Sequence, residues 1–267
     1  MRVYPVVIAL SLMIIGACSE DAPPVSTEGP RLFADQQFYP TLEGSSWVYR
    51  LDSAGVVAYA EVRSHIVGER TVEEQLYAVQ ANEIRRGSRM EVDTQYIRKS
   101  DFGVMFSSPG LIEFNSLPSI PGFPAPEIPK EYLALPFNPG FQATWDILNI
   151  EYNILFFNIY FRVKGRYIGP DDVSTSNGVY RNCSRVSISI EGRFPNLENP
   201  QDILNPLLIN EKADFWFSRA HGLVVVDGSE AVFLLFQGAL PLASEFATMR
   251  QEVTSMQIRQ PSPACSW

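Results

Sequence analysis

The chain is poor in the residues on which most site chemistry depends. Its 267 residues include only two histidines and three cysteines. His65, His221, Cys18, Cys183 and Cys265 form none of the close-spaced pairs that hold a metal, so no metal site is expected. A glycine-rich phosphate cradle is also missing, and no cofactor is expected. Basic residues are scarce, with 21 Lys and Arg against 30 Asp and Glu and a net charge of −9. That balance excludes nucleic acid as a partner, which would need a basic footprint. The adjacent carboxylates Glu73-Glu74 and Asp171-Asp172 would point to opposite faces of a strand, unlike a glycosidase pair that must face one substrate. Ser218, His221 and Asp227 lack a nucleophile elbow, and three groups around one turn do not readily reach triad geometry. The expectation is a protein without catalytic residues, with an envelope hydrolase centred near Ser218 and His221 as the alternative.

Long apolar runs are absent too. The longest, Val3 to Ala17, falls short of the ~20 residues that a spanning helix needs. It follows Arg2 and ends in the small pair Gly16-Ala17, which makes residues 1–17 a secretory signal peptide. Ile15-Gly16-Ala17-Cys18 resembles the lipobox of bacterial lipoproteins, whose cysteine is lipidated and becomes the new N-terminus. The resemblance implies lipidation at Cys18 and a membrane partner through that anchor. Several acyl chains make such attachment effectively permanent, since each buried methylene contributes ~0.8 kcal/mol. Ser19 in place of aspartate resembles the enterobacterial signal for the outer membrane, facing the periplasm. Residues 18–37 are polar and proline-containing, a flexible tether reaching roughly 25 Å.

What the chain has in quantity is aromatic side chains, 12% of residues, set in short β-rich segments. Ser46–Leu51, Ala58–Val67, Gln75–Ile84 and Ser88–Arg98 are separated by turn residues at the regular spacing of a meander. In the last of these, Val92, Thr94 and Tyr96 alternate with Asp93 and Gln95, the period of a strand with one buried face. Residues 118–139 carry seven prolines, a density that excludes helix and central strand and predicts a covering loop. Beyond it, Ala143–Gly169 contains a stretch, Ile154–Val163, that is apolar on both faces. Further strands are expected at Gly178–Glu191, Glu211–Ala220, Gly222–Asp227, Ala231–Gly238 and Glu245–Ile258. Val186, Ile188 and Ile190 alternate with Ser187 and Ser189 in the first of these. Asp227-Gly228-Ser229 reads as a hairpin turn, and Asn199–Glu211 has room for one helical turn.

The predicted architecture is all-β. One antiparallel domain over residues 38–260 forms a strongly curved sheet or incomplete barrel with little helix, followed by a short tail, 261–267. Trp267 resembles the aromatic terminus of outer-membrane barrels. Pro261 and Pro263 interrupt that segment, and no clean lipid-facing stripe exists, so an integral barrel is not expected. In an oxidising compartment Cys183 and Cys265 either pair as a disulfide or remain a buried strand thiol and a tail thiol.

Three pieces occur in the same order in a group of β-rich bacterial envelope lipoproteins of unassigned activity, which includes TapB-type proteins. They are Gly44-Ser45-Ser46-Trp47-Val48-Tyr49, Asn177-Gly178-Val179-Tyr180-Arg181-Asn182-Cys183, and Phe215-Trp216-Phe217 with His221-Gly222-Leu223-Val224. The chain resembles that family over about residues 39–258. The second piece departs from the pattern, reading Ser174-Thr175-Ser176-Asn177-Gly178 where the family usually carries Val-Pro-Ala-Gly. The resemblance implies a curved sheet related in shape to lipoprotein carriers and lipocalin-like proteins, and it carries over no catalytic residue. Physically, Gly178 and Gly222 suit turns of positive φ, while Trp47 and Tyr49 share one strand face.

Taken together, these features predict a lipid-anchored, non-enzymatic envelope module for binding or assembly, its partner either an envelope protein or an apolar ligand. The candidate apolar cleft is Phe123, Phe137, Phe157, Ile159 and Phe161, beneath the proline-rich cover.

Overall fold

A computed structural model of the chain describes residues 39–72, 74–107, 131–137, 139–154, 157–194, 205–219, 221–236 and 245–259. The segments expected to be signal peptide and tether, Cys18, Phe123, Cys265 and the side chain of Phe157 lie outside the described residues. The described part is a single antiparallel sheet of twelve strands with one short helix. A first meander runs β1 (Ser46–Ser53), β2 (Val56–Val72), β3 (Gln75–Arg86), β4 (Arg89–Lys99), β5 (Gly103–Ser107) and β6 (Glu131–Pro136). A second runs β7 (Thr144–Ile154), β8 (Phe157–Thr175), β9 (Gly178–Phe194), β10 (Leu207–Ser218) and β11 (Gly222–Ser229). After helix α1 (Glu230–Phe236), strand β12 (Thr248–Gln257) inserts between β1 and β11 and joins the two meanders. The sheet curves into an almost closed barrel whose edges are β6 and β7.

Alternation sets the inner face. On β1 the inward residues Trp47, Tyr49 and Leu51 are buried, and on β9 Val186, Ile188 and Ile190 form the matching inner row. Each such side chain removed from water contributes about 1.5–3 kcal/mol, so a one-residue slip in register would expose a whole row.

Four expectations need correction. Residues 131–136 form β6 rather than loop. Six residues free of internal proline suffice for an edge strand, and Pro136 sits at its end, where no ladder bond is required of it. The two-faced run Ile154–Val163 is not one strand, because the ladder pairs Ile154 with Phe157 and the chain turns back there. Asp227-Gly228-Ser229 is not a hairpin turn. Gly228 lies within β11 opposite Ala213, and a Cβ on it would sit 2.5 Å from the Ala213 Cα and the Lys212 carbonyl. The glycine is there for close approach of β10. Finally, Ala231–Phe236 is helical, not extended. Ser229 acts as its N-cap, its Oγ accepting from the Ala231 N–H at 3.2 Å, with Glu230 favourably placed in the first turn.

The long hairpin of β8 and β9 overhangs its neighbours and fastens onto β12. Arg250 donates to the Ser174 carbonyl at 2.7 Å, and the Ser176 N–H donates to Glu252 Oε1 at 3.2 Å. Asn177 donates its amide to the Thr254 carbonyl.

Candidate functional site

The barrel holds a partly open cavity of about 120 Å³ whose lining is mixed in chemistry. One wall is apolar, formed by Phe106, Ile188, Phe215, Phe217, Val226 and Phe233. Phe215 and Phe217 stack with ring centroids 6.4 Å apart, and Phe233 enters from α1. Strands β2 to β4 supply a polar group of residues, Ser64 from β2, Gln80 and Asn82 from β3, Asp93 and Gln95 from β4, beside the apolar Val62 and Ile84.

This arrangement reverses the face expected for β4. Val92 points out and is 62% exposed, while Asp93 and Gln95 point into the barrel on the same face as the buried Ile97. The period of two was legible, but a local pattern does not say which face meets the core. Register with β3 settles it, since Asn82 lies opposite Asp93 and Gln80 opposite Gln95. The residues missed at the sequence level are therefore Ser64, Gln80, Asn82, Asp93 and Gln95. The available signal was polar residues recurring at paired positions on three consecutive strands.

Most of the polar wall is internally bonded. Tyr39 donates to Gln80 Oε1 at 3.1 Å. Asn82 Oδ1 accepts from Ser64 Oγ at 2.7 Å and from Gln80 Nε2 at 2.9 Å. Asp93 Oδ1 accepts from the Thr94 N–H at 2.7 Å, whereas its Oδ2 is buried with no partner of hydrogen-bonding geometry among the described residues. Burial raises the Asp93 pKa, with the Thr94 N–H and the Asn82 amide opposing the rise. The Tyr132 hydroxyl, on β6, is likewise buried and unpartnered among the described residues. Burial lifts it well above the ordinary phenol range, and the neighbouring Tyr39 and Asp93 add to the rise. Burial similarly raises Tyr39 to about 12. An unbonded polar atom in such a site costs about 1–3 kcal/mol unless something occupies the space beside it.

The cleft proposed from sequence is not this cavity. Phe161 is 2% exposed and packs against Phe194 at 5.9 Å, while Ile159 and Phe137 are partly buried against the core. None of the three lines the cavity. Cys183 is a buried free thiol whose pKa burial and the charges of Asp172 and Asp171 push up to about 11.

Ser218 and His221 are brought together, Oγ to Nδ1 at 3.0 Å, but they span the β10–β11 turn, and His221 is exposed. Asp227 is engaged elsewhere, accepting from Arg250 at 2.9 Å. The contact is a local turn bond rather than a triad. The same turn joins two of the sequence motifs. Trp47 Nε1 donates to the His221 carbonyl at 2.7 Å, and the Tyr49 hydroxyl donates to the Leu223 carbonyl at 3.1 Å. Gly222 takes φ +80° there, as expected, with Pro40 and Trp47 filling the space a side chain would need.

In class, then, the described fold is an almost closed antiparallel β-barrel around a cavity of mixed lining. No protein-family model matches the chain, and no curated protein matches it. Among solved structures, the chain is similar to a candidate lipoprotein of Parabacteroides distasonis, with a TM-score of 0.46 and 14% identity over 82% of this chain and 98% of that one. It is also similar to a candidate exported protein with a YmcC-like fold from Bacteroides fragilis, with a TM-score of 0.43 and 11% identity over 82% and 98% of the two chains. At these identities the likeness is one of backbone course alone.

Proposed function

We propose that the protein is a non-enzymatic binding module of the bacterial envelope, anchored by lipid at Cys18 and holding a small amphiphilic ligand inside its barrel. The observation that carries this reading is the inward-facing polar wall of β2, β3 and β4 set against an aromatic wall. A barrel selected for stability alone would turn Val92 inward and Asp93 outward, because an aliphatic side chain gains from burial and a carboxylate loses by it. At about 120 Å³ the cavity is comparable to the ~150 Å³ engineered cavity known to take benzene. It suits a ligand, or the end of one, of only a few heavy atoms. The lipid tether would hold this module near the membrane surface.

Intact-mass analysis of membrane-fractionated protein tests both halves. The expected result is a Cys18-dependent acyl mass, lost in Cys18→Ser, together with a small molecule released on denaturation. Protein that leaves the membrane fraction unacylated would refute the anchor. A denatured extract without any ligand, joined to a failure of small amphiphiles to bind, would refute the binding role.

A further inference from the structure

We infer that the cavity selects ligands whose polar end donates hydrogen bonds, an amine or a hydroxyl, and rejects carboxylates. This inference rests on the cavity's being a binding site, as proposed above, and specifies what it reads. The acceptors of the polar wall are largely taken. Gln80 Oε1 serves Tyr39, Asn82 Oδ1 serves both Ser64 and Gln80, and Asp93 Oδ1 serves the Thr94 N–H. Asp93 Oδ2 remains, buried with no partner of hydrogen-bonding geometry among the described residues, the Asn82 amide being the nearest donor to the carboxyl. An incoming N–H or O–H would satisfy it.

An anion has the opposite prospect. Among the described residues no lysine, arginine or histidine lines the cavity, so a carboxylate would be desolvated beside Asp93 without a countercharge from them. The remainder of the ligand is fixed by the other wall. Phe106, Phe215, Phe217 and Phe233 offer faces and edges to a flat apolar body, for which ring-on-ring contact adds to the burial of area. Size and chemistry together describe a benzyl-like amine or alcohol.

The test compares three probes of one shape, benzylamine, benzyl alcohol and benzoate, by saturation-transfer NMR on the full chain at neutral pH. The expected ranking has benzoate at least about tenfold weaker than either donor, the scale of one unpaired charge against one paired charge in a partly desolvated site. Asp93→Asn should weaken benzylamine by about tenfold and bring benzoate to within about threefold of it. Val226→Trp, which fills the cavity, should abolish binding of all three. Benzoate binding as tightly as benzylamine to the wild-type chain overturns the inference even if neither variant folds. An unchanged ranking in folded Asp93→Asn overturns it as well. If none of the three binds, the cavity is not a ligand site and the broader functional reading falls with it. Binding without discrimination removes the donor selectivity alone.

Discussion

At the scale of single residues, Asp93 is the point where function and stability part company. Its carboxyl has a raised pKa on burial, starting from an ordinary value of 3.8. A carboxyl raised on folding favours the fold only while protonated. Its contribution is intact below about pH 3.8 and is lost as pH climbs through the folded value. Asp93→Asn should therefore stabilise the protein at pH 7 by on the order of 1 kcal/mol and give no gain at pH 3.5. Thermal melts at the two pH values read the difference directly. Cys183 makes a second residue-level case, since burial and two nearby aspartates disfavour its thiolate. In a Cys18→Ser, Cys265→Ser chain, where it is the sole thiol, it should resist a disulfide reagent at pH 8 and react promptly once the protein is denatured. Cys183 stood out in the sequence as one of three cysteines, whereas Asp93 did not stand out by type. Asp93 looked like a solvated strand carboxylate because charge usually marks the outer face, and only pairing with Asn82 turns it inward.

At the scale of elements, sequence patterns were informative where length and period agreed. Trp47, Tyr49 and Leu51, and Val186, Ile188 and Ile190, announced β1 and β9 because alternation over several positions admits one reading. Short apolar runs were not decisive. The segment from Ala231 to Phe236 has the composition of a strand, and only the cap at Ser229 makes it helix. Ile154–Val163 concealed a hairpin because the sequence from Ile154 to Phe157 is uninterruptedly apolar, and Asn153 and Asn158 flank the reversal as a cross-strand pair instead of marking it.

Edge strand β6 is held by its ladder with β5 and by a charged clasp. Arg98 donates to Glu131 at 2.8 and 2.6 Å, and the Tyr77 hydroxyl donates to it at 2.5 Å. The Arg98 guanidinium holds the Glu131 carboxyl below its ordinary value of 4.5. That stabilisation is present above about pH 4.5 and is lost as pH falls through the lower folded value. Glu131→Gln should cost about 1–2 kcal/mol at pH 7 and flatten the acid limb of the stability profile, measured by urea denaturation. Trp47→Phe probes the clasp between β1 and the β10–β11 turn. It keeps most of the buried ring but leaves the His221 carbonyl without its indole donor, an expected loss of about 1–2 kcal/mol in the same assay.

At the scale of the whole described sheet, β12 is the joint that makes one barrel of two meanders. Its pairing with β1 links residues about 200 positions apart, as in Trp47 with Met256 and Tyr49 with Val253. No local pattern could reveal that long-range closure, although antiparallel strands and a curved sheet were legible from strand spacing alone. The same closure builds the cavity, because its polar wall comes from β2 to β4 and its aromatic wall from β5, β10 and α1. Of the cleft expected from sequence, Ile159 and Phe161 pack with the core, while Phe123 and the side chain of Phe157 lie outside the described residues.

The central claim is that this interior space binds a ligand. Methyl-resolved NMR with benzyl alcohol tests it most directly. The account predicts saturable shifts at the cavity residues Ile84, Leu135, Ile188 and Leu223, with the outward-facing Val57 and Leu208 unmoved. Shifts confined to the outer residues, or none at any concentration short of denaturation, would contradict it.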